Sequence, residues 1–269
     1  VRLIKAYLYY RKTGLKATVR RIIAELRALH TKSYGSSLCS SELVNVHDIH
    51  PVLGNISSRI AVHAHVHYPD LTKELASCLK NIPFAFDLFV SVSTDEPRDI
   101  CSQAFSRLPQ VNRVIVDVVE NRGRDIAPMV CHFGARLATY DYICHLHTKK
   151  SVYTQGRMDG WREYLLRQLL GSEDQVRRIF SMFQRDPTAG IIYPQNYEYL
   201  PYWGNTWLSN RALGSQMCRQ MGITDVPEGY FDYPAGSMFW ARSKAIQNLF
   251  SDGIVPADFS PEAGQTDGT

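Results

Sequence analysis

The stretch RVIVDVVENRGRDIAPMVCHFGARLATYDYICHLH, residues 113–147, decides the fold. RVIVDVV (113–119) is apolar and β-branched enough for a strand. Asn121 to Asp125 supply a polar turn, Ile126 to Leu137 carry an apolar stripe at helical spacing, and YDYICHLH (140–147) reads as a further strand. The same alternation runs upstream. RIAVHAHV (59–66) is β-like, and Asp70 is a candidate N-cap for a helix bearing Leu71, Leu75, Cys78, Leu79 and Ile82. FDLFVSVS (86–93) is a near-continuous apolar strand, with a helix expected over 97–107. Strand alternating with helix predicts right-handed crossovers and a mostly parallel, Rossmann-like α/β sheet flanked by helices. Ligands of such sheets bind beyond the carboxyl ends of the strands, so the residues just after each strand carry the functional reading.

Composition bounds the rest. With 269 residues, 45% of them hydrophobic, the chain closes a real core, which excludes a disulfide mini-protein and a disordered tail. No run approaches the roughly 18 apolar residues of a spanning helix. The six cysteines (Cys39, Cys78, Cys101, Cys131, Cys144, Cys218) lie singly, which argues against zinc ribbons and disulfide frameworks and suits a reducing cytoplasm. Net charge is +4, yet residues 1–32 hold nine Lys or Arg against one acid, Glu25. There Leu15, Val19, Ile22, Ile23, Leu26 and Leu29 form the apolar stripe of an amphipathic helix. Such a helix either packs on the main domain or lies peripherally on anionic lipid at the inner face of the cytoplasmic membrane. The basic excess is confined to this helix and no aromatic-basic β-surface appears, so nucleic acid is not an expected partner.

Residues 33–58 are Ser-rich and read as a linker, giving a basic extension at 1–58 and an α/β domain at 59–269. Beyond Ser151, helices are expected over Trp161–Leu170 and Glu173–Phe183, and GIIYP (190–194) is a short strand. YEYLPYWGNTWLSN (197–210) is an aromatic loop, GSMFWAR (236–242) a strand, and 243–250 a helix. No internal repeat points to a solenoid or propeller. The last residues, PADFSPEAGQTDGT, bring no closing element, and a piece of a longer protein is expected.

Residues 120–151, with an N-x-G turn, a helix and a DYI strand, have the layout of a sugar-nucleotide transferase of the GT-A type. In that type the strand bears acids that hold a metal on the diphosphate; here it ends His145-Leu146-His147-Thr148-Lys149-Lys150-Ser151. The N-x-GRDI turn, the HTKKS tail, Trp161 and PAGSMFWAR (234–242) together resemble the rhamnan synthesis protein F family over about residues 59–269. The resemblance implies an inverting glycosyltransferase of bacterial cell-surface polysaccharide assembly. Its donor would be a nucleoside-diphospho-sugar, dTDP-rhamnose first, and its acceptor a lipid-linked glycan.

Transfer of this kind needs the leaving diphosphate stabilised, by Mg²⁺ or Mn²⁺ or by fixed cations, and a base for the acceptor hydroxyl. Lys149 and Lys150 stand where metal-binding acids would sit, so a metal-independent site without cofactor is favoured. Asn121, Arg122, Gly123, Arg124 and Asp125 are the other candidates for the donor, although Arg124 and Asp125 also fit an ion pair and Asn121 and Gly123 a plain turn. His63, His65 and His67 alternate and so share a strand face, as do His145 and His147. His63, His65, His145 and His147 read as donor contacts or core histidines. An HxHxH metal cluster is the rival reading and implies a hydrolase. A binding module without turnover is the other rival. For the base, Glu262 comes first, then Asp258 and Asp267, with Asp232 behind them. Trp203 and Trp207, with Tyr202, can stack on acceptor sugar rings or pack as a lid.

Overall fold

A computed structural model describes residues 42–148, 150, 159–200, 202–251 and 253–259. The amphipathic helix expected within 1–32 lies outside them, as do Lys149, Glu262 and Asp267. The chain divides into a larger unit, Leu43–Tyr197 with Pro234–Gly268, and a smaller one that contains Glu198–Tyr233.

In the larger unit β1 (Ile60–Val66), α1 (Thr72–Leu79), β2 (Phe86–Val92), α2 (Glu96–Phe105) and β3 (Val111–Val118) follow one another. A π-helical turn, Pro128–His132, and the short α3 (Gly134–Leu137) lead to β4 (Tyr142–His147). Next come α4 (Asp159–Leu170), α5 (Glu173–Arg185) and the two-residue β5 (Ile191–Ile192). After α6 (Arg211–Gln220) of the smaller unit, β6 (Phe239–Arg242) and α7 (Asn248–Ser251) complete the order. The sheet is six-stranded in the order β3-β2-β1-β4-β6-β5. β1 to β4 are parallel and β6 alone runs antiparallel to its neighbours.

Direction along the sheet reverses after β3: the chain moves outward from β1 to β3 and then returns to the far side of β1. Crossovers of one hand then send the connection to the opposite face. The two cores bear this out. Ile60, Val62, Val66, Leu88 and Cys144 pack under α1, α2, α4 and α5 through Leu75, Phe105, Leu169 and Phe180. On the other face Ala61, Phe89, Ile143 and Ala241 meet Met129, Phe133 and Leu137 of the β3–β4 connection.

Local differences from expectation have local causes. The stripe over 126–137 is not one α-helix: Phe133 N–H bonds Pro128 O, a wider turn inserted where proline has no N–H to donate. Asp70 does not cap α1, whose N-cap is Leu71; the Asp70 carboxylate pairs instead with Lys150 at 2.5 Å. β6 starts only at Phe239, because Gly236 and Ser237 take φ of +91° and +58° in a turn closed by Ser237 N–H to Pro234 O. The helix expected at 243–250 is a 3-10 turn, Ser243–Ile246, followed by α7. α6 was not expected, and none of its residues is buried. Of the Ser-rich stretch, the part from Val46 onward lies against α5, where Arg177 bonds Val52 O and Gly54 O and Arg178 bonds His47 O and Ile49 O.

Trp240 joins sheet and helices: it is fully buried, its ring lies 5.2 Å from that of Phe180, and its indole N–H donates to Leu169 O at 3.3 Å. Trp240→Ala leaves a large cavity and an unpaired carbonyl, so it should lower unfolding free energy by about 3–5 kcal/mol, read as a shifted urea midpoint at constant slope.

Candidate functional site

The order β3-β2-β1-β4 makes the β1–β4 junction the point where strand order reverses, the place beyond whose strand ends sheets of this kind bind ligands. The face covered by the β3–β4 connection changes character along its length. The lowest rung holds Asp87, Ala61 and Ile143, the next Phe89, His63 and His145, and the uppermost Ser91, His65 and His147. His63 pairs in register with His145, and His65 with both Ser91 and His147.

These side chains form one hydrogen-bonded series. Asp125 Oδ2 lies 3.1 Å from His145 Nε2, and His145 Nδ1 lies 2.9 Å from His63 Nδ1. Ser91 Oγ then bridges His63 Nε2 at 3.1 Å and His65 Nδ1 at 2.9 Å. His63, His145 and Ser91 are wholly buried, while His65 is 4% and Asp125 7% exposed. Asp125 reaches the sheet because Gly123 and Arg124 take φ of +64° and +53°, turning the chain back over it after β3. At Gly123 a Cβ would stand 2.5 Å from Ala127 Cβ and 2.7 Å from the Phe259 ring, so only glycine fits there without movement.

Burial would raise the Asp125 carboxyl, but His147 and the hydrogen bond from His145 outweigh it and hold Asp125 well below the usual carboxylate range. Burial lowers His63 far from its ordinary value, with His145 adding to the effect, and burial lowers His145 against the pull of Asp125. The same desolvation takes His65 down to about 4, opposed by Asp125. The series therefore holds three neutral imidazoles and one carboxylate at neutral pH.

Around it the strand ends are stitched together. Thr148 N–H bonds His65 O at 2.9 Å, Tyr68 N–H bonds Thr148 Oγ1 at 2.8 Å, and His147 Nε2 donates to Gly236 O at 2.7 Å. Lys150, besides its pairing with Asp70, lies 5.0 Å over the Tyr68 ring. Arg122 binds Glu120 at 2.8 Å and Phe259 O at 2.7 Å, drawing the segment after Ile254 onto the N-x-G turn. In that segment Asp258 is exposed and its carboxylate accepts the Val255 N–H at 2.9 Å. Asn121 and Arg124 are exposed on the turn. Ser93, two residues on from Ser91, has a buried hydroxyl that no described residue bonds.

The structure thus brings His63, His65, His145 and Asp125 into one cluster with His147 beside it. Trp203 and Trp207 belong to the smaller unit, where the Trp207 indole N–H donates to Pro227 O at 2.7 Å and its ring lies 4.8 Å from Phe231. Among the described residues no group of three His, Cys, Asp or Glu is placed to hold a metal ion. His67 lies exposed just past β1, its ring 6.4 Å from that of His65. Sequence reasoning missed Ser91, although a serine at alternate positions of a central apolar strand signals a polar patch on a buried face.

The fold is that of a mixed α/β protein with a polar cluster at its switch point, and sequence comparison supplies the lineage. The model of the rhamnan synthesis protein F family matches residues 21–269, and the chain belongs to that family. The match begins well upstream of residue 59, where the motif resemblance starts. The family's name connects the chain with the synthesis of rhamnan, a polysaccharide. Over 158 residues the chain is 35% identical to "Uncharacterized protein WxcX" in each of two strains of Xanthomonas campestris pv. campestris. That alignment covers 57% of this chain and 22% of the relative, so it spans about a fifth of these curated proteins. No helix among the described residues is long and apolar enough to cross a membrane.

The displaced histidines make a pH prediction. Because folded His65 titrates near 4 instead of 6.5, the unfolded chain takes up its proton first as pH falls. Stability should therefore rise with pH across about 4 to 6.5 and decline on acidification through that window, by about 3 kcal/mol from His65 alone. Urea midpoints at pH 7.5 and 4.5 measure this, and His65→Gln should flatten the dependence.

Proposed function

We propose that this chain is the catalytic α/β part of an inverting glycosyltransferase, GT-A-like in plan. In this reading it moves L-rhamnose or a related sugar from a nucleoside-diphospho-sugar, dTDP-rhamnose first, onto a growing cell-surface polysaccharide. The observation that carries the reading is the polar cluster at the β1–β4 switch point, set in a member of the rhamnan synthesis family. A buried face that could be wholly apolar instead turns polar where such sheets bind ligands, and the unmatched Ser93 hydroxyl lies at the same strand ends. In this proposal the N-x-GRDI turn and the 147–150 strand end face the donor. Lys149 and Arg124 serve the diphosphate without a metal. Trp203 and Trp207 serve the acceptor.

A donor screen by thermal shift tests this. A nucleotide-sugar at one hundred times its Kd stabilises by about 2.7 kcal/mol, or about 5–10 °C for a domain of this size. The expected outcome is a selective shift by one deoxyhexose donor, unchanged by EDTA. No shift with any nucleotide-sugar, together with no transfer to a lipid-linked glycan, would defeat the proposal. Loss of the shift in EDTA with return in Mg²⁺ would replace the cation-only site with a metal site.

The basic segment 1–32 is proposed to bring the chain to anionic lipid, where such an acceptor resides. Flotation with anionic vesicles should then fall steeply between low and high salt. A chain starting at Arg59 should stay in solution, and its equal flotation would remove the helix as anchor.

A further inference from the structure

The hydrogen-bonded series at the switch point has a direction, and the direction follows from counting protons. An ionised carboxylate only accepts, so His145 must donate to Asp125 from Nε2. A neutral imidazole carries one N–H, so His145 Nδ1 is bare and accepts from His63 Nδ1. His63 Nε2 is then bare and accepts the Ser91 hydroxyl proton. With that proton committed, Ser91 Oγ accepts from His65 Nδ1. His65 Nε2 is left with a lone pair, and no described residue bonds it. Each step is forced by the one before it, and the assignment rests on this bonding pattern.

We propose that Asp125, His145, His63 and Ser91 are positioning residues of a one-way proton wire that holds His65 with a bare Nε2 toward the carboxyl edge of the sheet, making His65 the general base of the site. His65 is one rung nearer that edge than His63 and His145, and it is the one imidazole of the three with any exposure. The wire does what a carboxylate does for a catalytic histidine, selecting the tautomer and the ring orientation, but across two strands and a serine. Burial keeps all three rings neutral, as a base requires.

The base role rests on the glycosyltransferase reading; the wire does not. In the transfer the acceptor oxygen attacks the anomeric carbon as the bond from that carbon to the diphosphate breaks. The bonding pair leaves on the nucleoside diphosphate, and the hydroxyl proton passes to His65 Nε2. The resulting imidazolium already donates through Nδ1 toward Ser91, and its charge faces the Asp125 carboxylate through the wire. Afterwards the proton returns to water.

Two measurements keep the claims apart. Long-range ¹H–¹⁵N correlation on the ¹⁵N-histidine-labelled protein, assigned with single His→Gln variants, reads tautomers without any activity. The expected result at pH 7 is Nε2–H for His145 and Nδ1–H for His63 and His65, the form that free histidine in water disfavours. In Ser91→Ala the His65 signal should move toward Nε2–H. His65 found as Nε2–H or as imidazolium in the wild-type chain would overturn the wire, even if the variants fail to fold. In the donor assay, His65→Gln should lower kcat by on the order of 10²–10⁴ with the donor KM within about threefold. Ser91→Ala and Asp125→Asn should lower kcat by less, in step with the loss of the Nδ1–H signal. An active His65→Gln beside an inactive Glu262→Gln would move the base to the carboxyl-terminal segment. A wild-type chain with the expected tautomers and no turnover on any nucleotide-sugar would refute the transferase reading and leave the wire standing.

Discussion

One ionised carboxylate inside the fold organises its upper half. Asp125 is 7% exposed and sits over the sheet instead of in water, and a buried charge is tolerated only when hydrogen-bonded. His145 meets that need and then requires a partner of its own, which His63 supplies across the β1–β4 junction. Each further residue is recruited by the one before it until the series ends at the strand edge. The β3–β4 connection, the central strand pair and β2 are thereby held in one polar arrangement at the place where sheet direction reverses.

Stability alone does not explain that arrangement. Replacing buried polar groups by apolar ones of similar volume is often neutral or stabilising. The same face carries apolar residues as well: Ala61 and Ile143 on the rung below, and Phe89 beside His63, pack against Phe133 and Leu137. Three imidazoles and a carboxylate therefore stand where aliphatic residues would serve. Lys150 and Asp70 neutralise one another beside Tyr68, so an anion arriving there competes with an existing carboxylate, whereas His65 Nε2 is bonded by no described residue.

The first four strands were legible because each is a short apolar or β-branched run bounded by turn residues, β1 and β2 being buried almost throughout, and α1 and α2 between them each keep a stripe. Elements defined by contacts distant in sequence were less so. β5 has two residues and exists because Ile191 and Ile192 pair with Ala241 and Trp240. The π-helical turn depends on Pro128 and on what the connection must cover, and periodicity does not register it. Within the site, the residue types were visible in HAH, N-x-GRDI and CHLH, and the shared faces followed from alternation. The pairing of His63 with His145 depends on strand register, and Ser91 has meaning only once β2 lies beside β1. Asp125 was expected at a turn and proves to be the anchor of a network, because two positive φ values in succession fold it inward.

The antiparallel β6 has a consequence for how such a protein can diversify. β5 rises toward the carboxyl edge and β6 descends from it, and the two are hydrogen-bonded neighbours, so the chain leaves the sheet and re-enters it at adjacent points on that edge. The chain between 193 and 238, which includes Glu198–Tyr233 of the smaller unit, is the connection between these two strands. Lengthening or exchanging an excursion whose ends are already pinned together costs only a slowly growing closure entropy. The hairpin is thus an insertion port: the length of the connection can change while the strands and their buried polar series stay untouched.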